Sequence, residues 1–165
     1  MKHRTSYKRL AGGCALWSAI LLVLASPAWA VLGDNASSVL RDQARMKGNI
    51  RSVDNRGYVM HEISTSAGDK VREYVTPGGA VFGVAWEGQL PPNLQDLLGP
   101  YYQQAKQARQ SAQKSGDTTP RMHRAPVVID TPSLVLYQGG HIRNFHGVAY
   151  IPQLIPQGVQ ASEIH

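Results

Sequence analysis

The chain is poor in cysteine, in long apolar runs and in catalytic signatures, and each shortage excludes something. Its one cysteine, Cys14, lies in the stretch read below as a leader. The rest of the chain can therefore form no internal disulfide and offers no thiol nucleophile. The single long apolar run, 15–25 (ALWSAILLVLA), is shorter than the roughly 20 residues a membrane-spanning helix needs, and nothing after it compares. HExxH, GxSxG, P-loop and dinucleotide glycine patterns are all missing, so the common zinc-protease, serine-hydrolase and nucleotide-binding chemistries have no foothold, and no cofactor is expected.

What is present begins with an address. Lys2, Arg4, Lys8 and Arg9 precede the apolar run, Pro27 ends it, and Ala28-Trp29-Ala30 has the small-residue form of a cleavage site. Residues 1–30 are expected to be a Sec signal peptide cut after Ala30, and the mature protein to be periplasmic or secreted in a Gram-negative bacterium. Leu10-Ala11-Gly12-Gly13-Cys14 superficially resembles a lipoprotein box, but it precedes the apolar run instead of following it, which argues against lipidation. Four of the 17 Lys and Arg leave with the leader, so 13 remain against 11 Asp and Glu. A mature charge of +2 does not suggest a nucleic-acid partner.

Residues 31–165 have a length that suits one domain. A short helix is expected over 31–48, with Asp34, Asn35 and Ser37 as capping residues, an apolar stripe of Val39, Leu40, Ala44 and Met46, and Gly48 as the stop. Asp54-Asn55-Arg56-Gly57 reads as a loop, with 49–53 as an alternative edge strand. Strands follow at 58–65, 69–76 and 80–87. Their two connections, Ser66-Ala67-Gly68 and Pro77-Gly78-Gly79, have the same three-residue form closing in glycine. That form pairs Thr65 with Asp69 and Thr76 with Ala80. It places His61, Glu73 and Gly83 in one row, and Glu62, Arg72 and Val84 in the next on the opposite face. A two-residue Gly78-Gly79 turn is the alternative, and would bring Phe82, Val84 and Trp86 to the side of Val71 and Val75.

Pro91-Pro92 ends this segment. Asn93 caps a longer helix with Leu94, Leu97, Leu98, Tyr101, Ala105, Ala108 and Ala112 on one face, kinked or broken at Gly99-Pro100. Residues 115–126 read as a flexible loop. Short strands are expected at 127–129, 134–137, 142–145 and 148–151, with Gly139-Gly140 as a turn, and then an irregular tail. The class is α+β: one domain with a mainly antiparallel sheet built on a three-stranded meander, covered on one face by a short N-terminal helix and the longer kinked one.

Several of these stretches together resemble a known family: Leu32-Gly33, Asp42, Met46-Lys47-Gly48 and His61-Glu62-Ile63; then Arg72-Glu73-Tyr74-Val75 and Gly79-x-Val81-Phe82-x-Val84-Ala85-Trp86-x-Gly88; then Pro92-x-Leu94 and Leu97-Leu98-Gly99-x-Tyr101. The chain is similar over nearly all its mature length to the bacterial exported family called domain of unknown function 2844 (DUF2844). The resemblance implies export and one domain. The family has no established activity, so it lends no catalytic residue.

Chemistry has few places to sit. His61 facing Glu73 could make a general base with its orienting carboxylate, and Gly83 would leave room beside them; the plainer reading is a register-setting cross-strand pair with Gly83 making room for packing. His141 and His146, separated by a strand, project poorly for one metal, and with His123 they read as surface histidines, so no metal site is expected. Arg72, Tyr74, Phe82, Trp86 and Tyr101 are the candidate binding residues, although aromatics in strands and helices are more often core. The favoured reading is a non-enzymatic accessory protein of the envelope that binds an unidentified protein or glycan partner through its sheet edge or aromatic face. The alternatives are a small hydrolase or lyase using His61 and Glu73, and a structural envelope assembly module.

Overall fold

The structure, a computed structural model, describes residues 32–114 and 126–165. The leader with its Ala30 cleavage site, His123 and nearly all of the 115–126 loop lie outside the described residues. The class is α+β. Seven strands form one antiparallel sheet: β1 (Asn49–Asn55), β2 (Tyr58–Ser64), β3 (Lys70–Val75), β4 (Val81–Gly88), β5 (Val127–Thr131), β6 (Leu134–His141) and β7 (Asn144–Tyr150). Their order is β1-β2-β3-β4-β7-β6-β5, so two meanders meet at the β4–β7 pair, with β1 and β5 at the ends. Helix α1 (Ser37–Met46) precedes the sheet; α2 (Leu94–Leu98) and α3 (Tyr102–Lys114) connect its halves.

The glycine-closed turns fold as their sequence dictates. Gly68 and Gly79 take φ of +89° and +85°, the left-handed values that glycine adopts without steric cost. In both, the closing pair exchanges a backbone bond, Thr65 N–H to Asp69 O at 2.9 Å and Thr76 N–H to Ala80 O at 2.8 Å. In both, the threonine hydroxyl also accepts from the closing residue's N–H, at 3.1 and 3.0 Å. The β2–β3 register follows, with His61 opposite Glu73 and Glu62 opposite Arg72.

Beyond Val75 the expected β3–β4 register fails. Val75 pairs with Val81, but Tyr74 pairs with Gly83, so Phe82 is an extra residue in a bulge. The slip turns Val84 and Trp86 toward Val71 and Val75 and leaves Phe82 beside Tyr74. Each side of the bulge thus obeys one of the two alternative registers. The row expected to hold Glu73 and Gly83 instead sets Glu73 against Val84. Strand glycine marks such irregularities, because it tolerates the local bend and adds no side chain.

Other expectations shift by smaller amounts. The first meander has four strands, since β1 runs through to Asn55 and turns at Arg56-Gly57. Gly139-Gly140 lies inside β6, and the β6–β7 turn falls at Ile142-Arg143, with Arg143 at φ +68°. The short helix buries Ser38, Val39 and Asp42, while Leu40 is 63% exposed. Lys47, not Gly48, takes the left-handed position that ends it. Gly48 is needed for a different reason: a Cβ there would lie 2.7 Å from Ile63 Cγ2. The longer helix breaks where Pro100 removes a helical bond, through a 3-10 turn at Gly99–Tyr101.

Apolar residues occupy both faces of the sheet. On the helix face, Val71, Val84, Trp86, Leu134, Leu136 and Ala149 pack with Val39, Leu97, Leu98 and Ala105 of the helices. On the outer face, Tyr58, Tyr74, Phe82 and Ala85 pack under the C-terminal segment through Ile155, Val159 and Ile164. Tyr74 Oη donates to His165 O at 2.7 Å and accepts from His165 N–H at 3.0 Å, fastening that segment across β3.

Candidate functional site

His61 and Glu73 stand opposite one another, but they do not act on each other. Strand pairing aligns their backbones and puts both side chains on the helix face. His61 Nδ1 then turns outward to Ser52 Oγ on β1, at 2.8 Å. Burial lowers its pKa below the usual histidine value, against a smaller opposing pull from Asp54, so the ring is neutral near pH 7. Glu73 turns the other way, under α1, where it is 2% exposed.

There Glu73 meets Asp42, which helix α1 carries on its buried stripe three residues after Val39. Removal from water, and then the Asp42 carboxylate beside it, push the Glu73 pKa up to about 9. Burial also raises Asp42, opposed by Glu73 beside it and by the Arg45 charge. With its value near 9, Glu73 is the protonated member of the pair near pH 7. Asp42 Oδ1 accepts from Arg45 at 2.5 Å, and Arg45 reaches Asp96 of α2 at 2.9 Å. The chain Glu73–Asp42–Arg45–Asp96 thus ties β3 to both helices. Ser38 Oγ lies buried on the same helix without a hydrogen-bond partner among the described residues.

A carboxyl with a pKa near 9 has the profile of a general acid, but access decides its use. Glu73, Asp42 and His61 line none of three surface cavities among the described residues, of about 460, 360 and 190 Å³. The arrangement is suited to pinning a helix on a sheet. Sequence reasoning missed Asp42 as the partner of Glu73, although a signal existed: an acid at helical spacing from Val39 and Met46 on the buried side of the helix.

The other candidates divide between core and surface. Tyr74 and Phe82 form a buried ring cluster with Tyr58, with centroids 5.8 to 6.2 Å apart. Trp86 is buried on the helix face, and half-buried Tyr101 packs against the same core. Arg72 remains on the outer face, where Nε contacts Glu62 at 2.8 Å and a terminal nitrogen contacts Glu87 at 3.1 Å. Lys70 meets the same Glu87 oxygen at 3.1 Å.

One row on the outer face runs through all seven strands: Arg51, Glu62, Arg72, Ala85, Val148, Tyr137, Val128. It is charged at the β1 end and apolar at the β5 end. The C-terminal segment does not close over that apolar end. Val128 is 66% exposed and Tyr137 39%. In the next row His146 faces Gly139. The His146 ring stacks on Tyr137 with centroids 6.2 Å apart. A Cβ on Gly139 would lie 3.1 Å from His146 Nε2 and 3.2 Å from Tyr137 Oη, so the two polar tips converge above a glycine floor. Val128, Tyr137 and His146 form an exposed group on and beside edge strand β5, with an aromatic ring, two polar atoms and an exposed aliphatic group. Such a surface is equipped to contact another molecule.

Among the described residues there is no group of three or more metal-binding side chains, and no helix is long and apolar enough to cross a membrane. A family model described as "Protein of unknown function (DUF2844)" matches residues 28–164. No curated protein and no solved structure matches the chain.

Proposed function

Because the chain belongs to the DUF2844 family of proteins of unknown function, we propose its role from its own residues: a non-enzymatic binding module, exported to the cell envelope or beyond, that engages a protein or glycan partner through the open outer face at β5, β6 and β7. The single observation that carries this reading is the exposure of Val128 and Tyr137, side by side at the end of a row whose other apolar members are covered. A partly exposed ring one strand in from the sheet edge suits contact with a sugar or a peptide side chain, and the β5 edge suits strand pairing. Export is supported by the basic, apolar and Ala-x-Ala sequence at 2–30. A single domain is supported by a sheet that runs continuously through both meanders. The hydrolase or lyase alternative gains nothing from His61 and Glu73, which bond in opposite directions.

The test is the paired variant Val128→Asp with Tyr137→Ser. Both side chains are solvent-reached, so stability should change by only about 0.5 kcal/mol. Capture of a specific envelope protein or array glycan should fall about tenfold or more, as truncation of an anchoring aromatic implies. Undiminished capture would remove this surface from the reading.

A further inference from the structure

We propose that the groove between α3 and strands β5 and β6, on the helix face, is a binding site for a single-chain acyl carboxylate. The groove is about 360 Å³ and belongs to a different face from the surface above. Its volume lies near the lower end of small-molecule pockets, which run from about 300 to 1,000 Å³. That suits one chain better than a two-chain lipid.

The lining combines apolar and cationic residues with three neutral amides, Asn93, Gln95 and Gln138. Leu94, Ala105, Val127 and Leu136 supply an apolar wall drawn from α2, α3, β5 and β6. Lys106 and Arg109 supply charge from one side of α3, three residues apart and so on neighbouring positions of one helical face. Among the described residues no acidic side chain lines the groove. Neither cation makes an ion pair with another described residue. The 460 Å³ cavity, in contrast, is lined by Asp34 and Asp96. The 190 Å³ cavity mixes Arg45 and Lys70 with Asp69, Glu87 and Asp96.

Apolar wall and cationic rim together select a ligand that is apolar along its length and anionic at one end. The tail contributes burial, about 25 cal/mol per Å² of apolar surface removed from water. The carboxylate contributes charge-assisted hydrogen bonds, with Arg109 able to present a fork to both oxygens. A cation of the same chain length would gain the burial and meet repulsion at the rim, so the charge decides the choice.

The experiment is calorimetric titration of the protein with decanoate below its micelle threshold, alongside decyltrimethylammonium and inorganic phosphate. Decanoate should bind saturably with one site, and neither comparison compound should. The exposed pair Lys106→Glu with Arg109→Glu should weaken decanoate about tenfold or more, the scale expected when charge-assisted contacts are reversed. Val127→Trp, which fills the groove from a half-buried position, should also abolish the site. Circular dichroism would verify that both variants stay folded. Three results would each overturn the proposal: no saturable decanoate binding, equal binding of decyltrimethylammonium, or full affinity in the folded charge-reversed variant.

Discussion

Gly147→Ala is expected to lower the stability of the fold by about 3 kcal/mol, the upper part of the usual range for overpacking a core. Gly147 sits on β7, paired with Trp86 on β4 and Gln138 on β6. A Cβ there would lie 2.3 Å from Trp86 Cζ2, 2.7 Å from Cε2 and 2.7 Å from Tyr137 O. None of these atoms yields easily. The indole is 4% exposed and packed in the helix-face core, and the carbonyl belongs to the neighbouring strand. Gly147 needs no left-handed backbone, so the cost is steric and reads out the closeness of the Trp86 contact. Gly68→Ala is the control. It carries φ +89° with open space around it, and should cost only the local backbone strain of about 1–2 kcal/mol. Urea denaturation of both variants provides the comparison, with a lowered midpoint at constant slope the signature of a pure stability change. Adding Trp86→Leu to Gly147→Ala should restore part of the loss, because the two side chains then no longer compete for one space. A loss at Gly147 no larger than at Gly68 would show that Trp86 does not press on β7.

The second large effect is in pH. The carboxyl of Glu73 has an ordinary value of 4.5 when exposed and about 9 in the fold. Between those values the folded protein holds a proton that the unfolded chain has released. Stability therefore falls as pH rises across that window and levels off above about 9. With 1.36 kcal/mol per unit, the drop from pH 5 to pH 7.5 should be on the order of 3 kcal/mol. His61 works in the other direction on the acid side. Its lowered value means that the unfolded chain protonates first below about pH 6.5, so that term removes stability as pH falls. The informative quantity is thus the difference between the parent and Glu73→Gln. The amide is neutral and close in shape to the protonated acid, but it does not titrate. The variant should lack the decline between pH 5 and 9 and be at least as stable as the parent at pH 7.5. If the two profiles run parallel, Glu73 does not hold the proton.

Much of the sheet was legible because its local rules are strong. Two threonines, each followed by a three-residue loop closing in glycine, determine two hairpins, and the Glu62–Arg72 pair confirms the first register. The row containing Gly83 was not legible, because a bulge is a compromise between packing on two faces. Phe82 is held on the outer face by Tyr58 and Tyr74, and Trp86 on the helix face by its fit over Gly147. No alternation pattern can serve both. Gly139-Gly140 misled for a related reason. Glycine was read as a turn signal, whereas Gly139 clears space for Tyr137 and His146, and Gly140 lets β6 approach the backbone at Asn144. The site suffered most from long-range pairing. Glu73 has an evident neighbour in His61 across the strand, and its actual partner, Asp42, lies 31 positions earlier on a helix whose buried stripe is only partly apolar. The open surface was hidden too, since Tyr137, Val128 and His146 come together only once β5, β6 and β7 pair.

The surface of Val128, Tyr137 and His146 is the proposed place of contact. A photoreactive phenylalanine analogue placed at 128 or 137, with Leu40 on α1 as an equally exposed control at 63%, would test it in the producing cell. One discrete adduct shared by positions 128 and 137, and none at 40, is the expected result. No adduct at 128 or 137, or the same pattern at all three positions, would rule this surface out as the place of contact.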